Sequence, residues 1–165
     1  MQILRGAPAL SSFKRMQLVA QMQQVCPQLS DVYAEFVHYI HWDDSYSELD
    51  QGILEKILTY GPSRDQESFS EKLIVVIPRL GTLSPWSSKA TDIAHNCGLT
   101  ALHRIERGIA YDLRFTETPE EATLISIENM LFDRMTQSVI YKHRDAAALF
   151  VSAQPQPLNS VAILS

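Results

Sequence analysis

At 165 residues the chain suits one large domain or two small units sharing a core, and 45% apolar against 20% charged residues excludes a disordered chain. Its net charge of -5, from 19 acidic and 14 basic side chains, argues against nucleic acid as a partner, because phosphate binding calls for a positive field. Cys26 and Cys97 are too few for a disulfide framework, so a reducing cytoplasm is the expected setting.

The opening MQILRGAPALSSFKRM lacks the apolar core of a signal peptide, and no apolar run is long enough to span a bilayer, so no membrane partner is expected. Ile3-Leu4-Arg5 reads as a short strand. Ser11 or Ser12 caps a helix through Val25, with Phe13, Met16 and Ala20 on one face. From Asp31 to Trp42 the chain alternates, with Val32, Ala34, Phe36, His38 and Ile40 on one side of a strand. Ser47 and Asp50 open a second helix carrying Leu49, Ile53 and Ile57, and Tyr60-Gly61-Pro62 stops it.

A polar loop covers Ser63 to Glu71, and KLIVVIP then reads as a buried strand. The segment SPWSSKATDIAHNCGL predicts a helix with Ser84 as cap, Pro85 in its first turn and Gly98 at its end. Ala90, Ile93, Ala94 and Cys97 form its apolar stripe, which makes Cys97 a packing residue and not a reactive thiol. Leu102 to Phe115 alternates as a strand with Ile105, Ile109, Tyr111, Leu113 and Phe115 on one face. Arg107 shares that face, and the neighbouring Gly108 suggests a bulge. Thr118-Pro119-Glu120-Glu121 is a capping-box pattern with Pro at the first helical position. Its helix carries Leu124, Ile127, Leu131 and Met135. Ser138 to Lys142 closes as a strand, and Ser152 to Ser160 reads as a linker.

The order strand, helix, strand, helix starts near residues 2, 11, 31 and 48 and again near 72, 85, 102 and 119, offsets of 70, 74, 71 and 71. Nearly constant spacing points to a duplication with pseudo-repeats over about 1–62 and 72–142. The expected fold is α+β, with mainly antiparallel sheet and helices on one face, over residues 1–151.

Catalytic patterns are sparse. The six glycines make no GxG and no phosphate loop. His38 and His41 fall on opposite sides of a strand, and His95 and Cys97 diverge on a helix, so no metal set is predicted. A serine hydrolase would need Ser84 or Ser88 beside His95 with Asp92 as the carboxylate. Arg79, Lys89, Arg104 and Arg107 are either a solvated face, paired with Asp92 and Glu106, or a contact for an anionic or acidic partner. Trp86 is either packed under a loop or an anchor for a partner. The residues favour a non-catalytic module without naming it.

ILRGAPALSSF, VYAEFVHYI, YGPS, RLGTLSPWSSKATDIAHNCGL, RIERGIAY and FDRMT together resemble the N-terminus of the large single-chain phosphoribosylformylglycinamidine synthases over nearly the whole chain. The second half is also similar to the small PurS-type subunit of the multi-subunit form. The correspondence runs through Leu73 to Pro78, Leu80-Gly81, Ser84-Pro85 and Arg107-Gly108, with Arg79-Leu80-Gly81 where Arg-Pro-Gly is usual. The resemblance implies a cytoplasmic parent enzyme of purine biosynthesis that uses glutamine, ATP and Mg to convert formylglycinamide ribonucleotide to the amidine. It implies a domain imitating a dimer of the small subunit, with no catalytic, cofactor or metal residue of its own. Its partners would be the glutaminase and synthetase domains of the same polypeptide. The expected interdomain contacts are Arg79, Ser84, Trp86, Lys89, Asp92, His95, Arg104 and Arg107. Residues 152–165 would begin the linker to an absent synthetase region. A free-standing tandem PurS-like assembly subunit is the alternative.

Overall fold

The computed structural model describes residues 1–62 and 73–151. The expected loop at 63–71 and the linker from 152 lie outside the described residues. The elements run β1 (Gln2–Pro8), α1 (Ser12–Gln23), β2 (Leu29–Trp42), α2 (Glu48–Leu58), β3 (Leu73–Pro78), α3 (Pro85–Asn96), β4 (Leu102–Phe115), α4 (Glu121–Glu128) and β5 (Gln137–Ile140), then a 3-10 helix (His143–Phe150). The strands form one antiparallel sheet ordered β1-β2-β4-β3-β5. The fold is α+β, as the sequence predicts.

The sheet is organised by its two 14-residue strands, which pair from Leu29↔Phe115 to Trp42↔Leu102. Alternation places Val32, Ala34, Phe36, His38 and Ile40 on one face, opposite Leu113, Tyr111, Ile109, Arg107 and Ile105. All four α-helices cover that face, in two groups. Met22 of α1 and Ile127 of α4 pack on Val32, Ala34, Tyr111 and Leu113 at one end. Leu54 and Leu58 of α2 and Ala94 of α3 pack with Leu99 on Ile40 and Ile105 at the other. The middle rows, Phe36 with Ile109 and His38 with Arg107, lie between these groups. The opposite face carries Val37, Tyr39, Val75, Ile77 and Ala110 under Ala146 and Leu149. The 3-10 helix therefore departs from the expected arrangement of helices on one face.

The two halves meet at the β2–β4 seam in matching ways. β1 pairs with Val37 to Ile40 of β2, and β3 pairs with Ile109 to Asp112 of β4. Val37 and Gly108, 71 positions apart, face each other across the seam. α1 and α3 each have 12 residues and a serine cap, Ser11 or Ser84, accepting from the amide three residues on. Each also ends by serving the long strand that follows. Gln23 Nε2 donates to the Leu29 carbonyl at 2.8 Å, and His95 Nε2 to the Leu102 carbonyl at 2.6 Å. Those carbonyls open β2 and β4.

Several local expectations are corrected. Phe13 and Met16 are 74% and 70% exposed, whereas Leu18, Val19, Met22 and Cys26 face the core. Apolar residues lie on both sides of α1, and its periodicity alone does not say which side meets the sheet. Leu49 is likewise exposed, while Leu54 and Leu58 are buried. Cys97 is exposed because it caps the C-terminus of α3, beyond the buried stripe, and Ile93 is half exposed. The Thr118 capping box does not form: Glu120 is the N-cap and makes no side-chain bond, so Thr118 and Pro119 precede the helix. α4 ends at Glu128 in tighter bonds, Met130 N to Ile127 O and Leu131 N to Glu128 O. Leu131 is therefore buried from outside the helix, and Met135 is exposed.

The β2–β4 register passes Gly108 without a shift, so no bulge occurs there. Glycine answers a different need: a Cβ at 108 would sit 2.9 Å from the Val76 carbonyl and 3.1 Å from Ile77 Cγ2, where β3 draws close before it parts from β4.

Candidate functional site

α3 owes its ends to its sequence. Ser84 Oγ accepts from Ser87 N at 3.0 Å, Pro85 fills a position whose N–H has no helical partner, and Gly98 takes φ +90°. Gly98 N then donates to His95 O and Leu99 N to Ala94 O, the reciprocal pair that closes a Schellman motif. Beyond the reach of β3, α3 lies against the first part of β4. Ile105 N donates to Thr91 Oγ1 at 3.2 Å, and His95 takes the Leu102 carbonyl. Polar side chains of α3 thus satisfy strand groups that a neighbouring strand would otherwise pair. Ser84 Oγ also donates to Glu106 Oε2 at 2.8 Å.

Trp86 turns the first turn of α3 over the middle rows of the sheet. The Arg107 guanidinium lies 4.7 Å from its ring centroid and 4.4 Å from that of Phe36, a cation in contact with two aromatic rings. Each such contact contributes about 0.5–2 kcal/mol, depending on desolvation. Arg107 Nη1 donates to the Tyr60 hydroxyl at 3.2 Å, and that hydroxyl lies 2.8 Å from His38 Nε2. Tyr60 accepts from the arginine and so gives its own proton to His38 Nε2. The other nitrogen, Nδ1, faces the Leu4 backbone without completing a hydrogen bond by distance and angle. Burial, and then the charge of Arg107, hold the His38 pKa down at about 4. His38 is therefore neutral at pH 7, and Arg107 is the charge of the cluster.

Two cavities adjoin it. One, of about 250 Å³, is lined by Phe36, Val76, Ser84, Arg107, Ile109 and Gln137 among others. The second, of about 290 Å³, runs between α2 and α3 along Ile57, Tyr60, Trp86, Lys89, Ala90 and Ile93. The stacked Arg107 and Trp86 separate them.

The other predicted residues divide. Arg104 is held inside: it pairs with buried Glu106 and donates to the Thr82 and Leu149 carbonyls. Ser84 and His95 are engaged with Glu106 and Leu102, so the hydrolase constellation is not assembled and no serine hydroxyl meets His95 among the described residues. Arg79 is exposed and donates to the Met135 carbonyl. Lys89 and Asp92 are exposed on α3. His41 lies against His103 and Phe150, across the sheet from His38. Among the described residues no three His, Cys, Asp or Glu side chains gather as a metal set. None of the described helices is long and apolar enough to cross a membrane.

Phe36, His38 and Tyr60 complete a site to which only Arg107 and Trp86 of the eight expected contacts contribute a ring or a guanidinium. Its signal was a lone arginine on an apolar strand face. Tyr60 gave none, because its place beside β2 depends on how α2 packs.

The fold and site define an α+β domain whose helix-covered antiparallel sheet carries an arginine against aromatic rings, beside two cavities. The chain matches the family model described as formylglycinamide ribonucleotide amidotransferase N-terminal over residues 35–150, and it belongs to that family. Membership connects it with phosphoribosylformylglycinamidine synthase in purine biosynthesis, and it implies partner domains in the same polypeptide.

Proposed function

We propose that residues 1–151 are a non-catalytic assembly domain that bridges the glutaminase and synthetase regions of the synthase. In this reading it keeps the route for glutamine-derived ammonia assembled, so that ammonia reaches formylglycinamide ribonucleotide. The observation that carries it is the family match over residues 35–150 of a chain with an open aromatic groove at Arg107 and Trp86. Trp86, Lys89, Asp92, Arg107 and Arg79 would face the partners, while Ser84, His95 and Arg104 would hold the domain itself together. ATP and Mg belong in this reading to the synthetase region, glutamine hydrolysis to the glutaminase, and the whole enzyme to the cytoplasm. The match of the two halves about the Val37↔Gly108 pair supports a duplicated unit that imitates a dimer of the PurS-type subunit.

The test is reconstitution. The synthase lacking residues 1–165 is mixed with this chain, and amidine formation is followed with glutamine and with ammonia. Recovery of the glutamine-dependent rate beyond any change in the ammonia-dependent rate is expected. Equal rates with and without the chain would contradict the reading.

A further inference from the structure

Four arginines lie on the strands β1 and β4: Arg5, Arg104, Arg107 and Arg114. Three have buried carboxylate partners within the domain, Glu35, Glu106 and Asp112. Arg107 has none among the described residues, although the chain has 19 acidic side chains. It is half-buried, its guanidinium lies over the Phe36 and Trp86 rings, and among the described residues its side chain donates to Tyr60. Its other N–H groups bond no side chain among the described residues and are left for acceptors. A planar fork of donors held in this way matches a carboxylate, which accepts two parallel bonds.

We propose that Arg107 is a receptor for an aspartate or glutamate side chain on a partner domain of the synthase. An apolar side chain beside that acid enters the groove lined by Ile57, Ala90 and Ile93. Charge complementarity selects this occupant: Arg107 lines the neighbouring cavity and lies over the ring of Trp86, which lines the groove, and Lys89 is the groove's one charged lining residue beside an otherwise largely apolar wall. The aromatic clamp meets the ordering cost before docking, so a single ion pair there is worth more than one at a mobile surface arginine. The proposal rests on the assembly reading and adds its chemistry.

The experiment is calorimetric titration of this chain into the synthase lacking residues 1–165, for wild type, Arg107→Gln and Arg107→Lys, at two salt concentrations. Arg107→Gln is expected to bind about thirtyfold or more weakly, as for a truncated buried charge pair. Arg107→Lys keeps the charge over the rings but loses the fork, and falls in between. Near-ultraviolet circular dichroism of each free variant checks that the tryptophan environment is kept, and Arg107→Lys decides the matter if Arg107→Gln does not fold. Wild-type binding that both folded variants reproduce would overturn the proposal and leave the assembly reading standing. No binding by the wild type would remove both. Saturable binding of inorganic phosphate that depends on Arg107, with partner binding unchanged in the variants, would assign the site to a free anion and overturn the proposal as well.

Discussion

α1 and α3 are built alike and used differently. Both have 12 residues, both are capped by serine, and both end by bonding the first carbonyl of a 14-residue strand. Their first turns differ. α1 presents Phe13 and Met16 to solvent, away from the sheet. α3 turns Trp86 inward, onto Arg107 and 5.6 Å from the His38 ring. The shared features are those that any helix laid on this sheet needs. The one that differs builds a half-buried cation with a cavity on either side, which is the basis for placing recognition at α3.

The largest expected effects fall where the two helices are alike. Met22→Ala at the end of α1 and Leu99→Ala just after α3 each remove a side chain with no exposed surface. Urea unfolding is expected to show a loss of about 2–5 kcal/mol for each. A large loss for only one would break the equivalence of the two ends.

Next is pH. His38 is depressed to about 4 in the folded chain against an ordinary 6.5, so the unfolded chain binds its proton first. Stability is fully present above pH 6.5 and falls as pH drops toward 4, by about 3 kcal/mol in all from this group. His41 and His143 are shifted in the same direction, chiefly by burial, and steepen the slope. The difference in slope between wild type and His38→Gln isolates the His38 share. An unchanged slope would place His38 outside the coupled cluster.

The caps sharpen the comparison at smaller scale. Ser11→Ala removes a cap alone and is expected to cost about 1 kcal/mol in urea unfolding. Ser84→Ala also takes the hydroxyl donor from Oε2 of buried Glu106, leaving Arg104 as its side-chain partner, and about 2 kcal/mol is expected. Equal costs would mean that the Ser84–Glu106 bond adds nothing. The smallest effect belongs to Phe13→Ala, within about 0.5 kcal/mol because that ring is 74% exposed.

Much of this architecture was legible in the sequence. Strict alternation from Asp31 and from Leu102 marked both long strands, and Ser84, Pro85 and Gly98 marked the ends of α3, because these signals are local. What could not be read depends on contacts distant in sequence. The inward face of α1 is chosen by the sheet it meets. The capping box at Thr118 failed because the helix begins two residues later than the pattern suggests. In the site, Arg107 was visible as a charge on an apolar face. Its clamp was not, since Phe36 and Trp86 come from the other long strand and from a helix, and Tyr60 from a third segment.

The central claim is that recognition sits at the α3 end and not on the exposed first turn of α1. Hydrogen exchange of this chain, alone and with the synthase lacking residues 1–165, tests it most directly. Protection on mixing at Trp86 to Ile93 and around Arg107, with α1 unchanged, is the predicted result. Protection confined to α1, with none at α3, would contradict it.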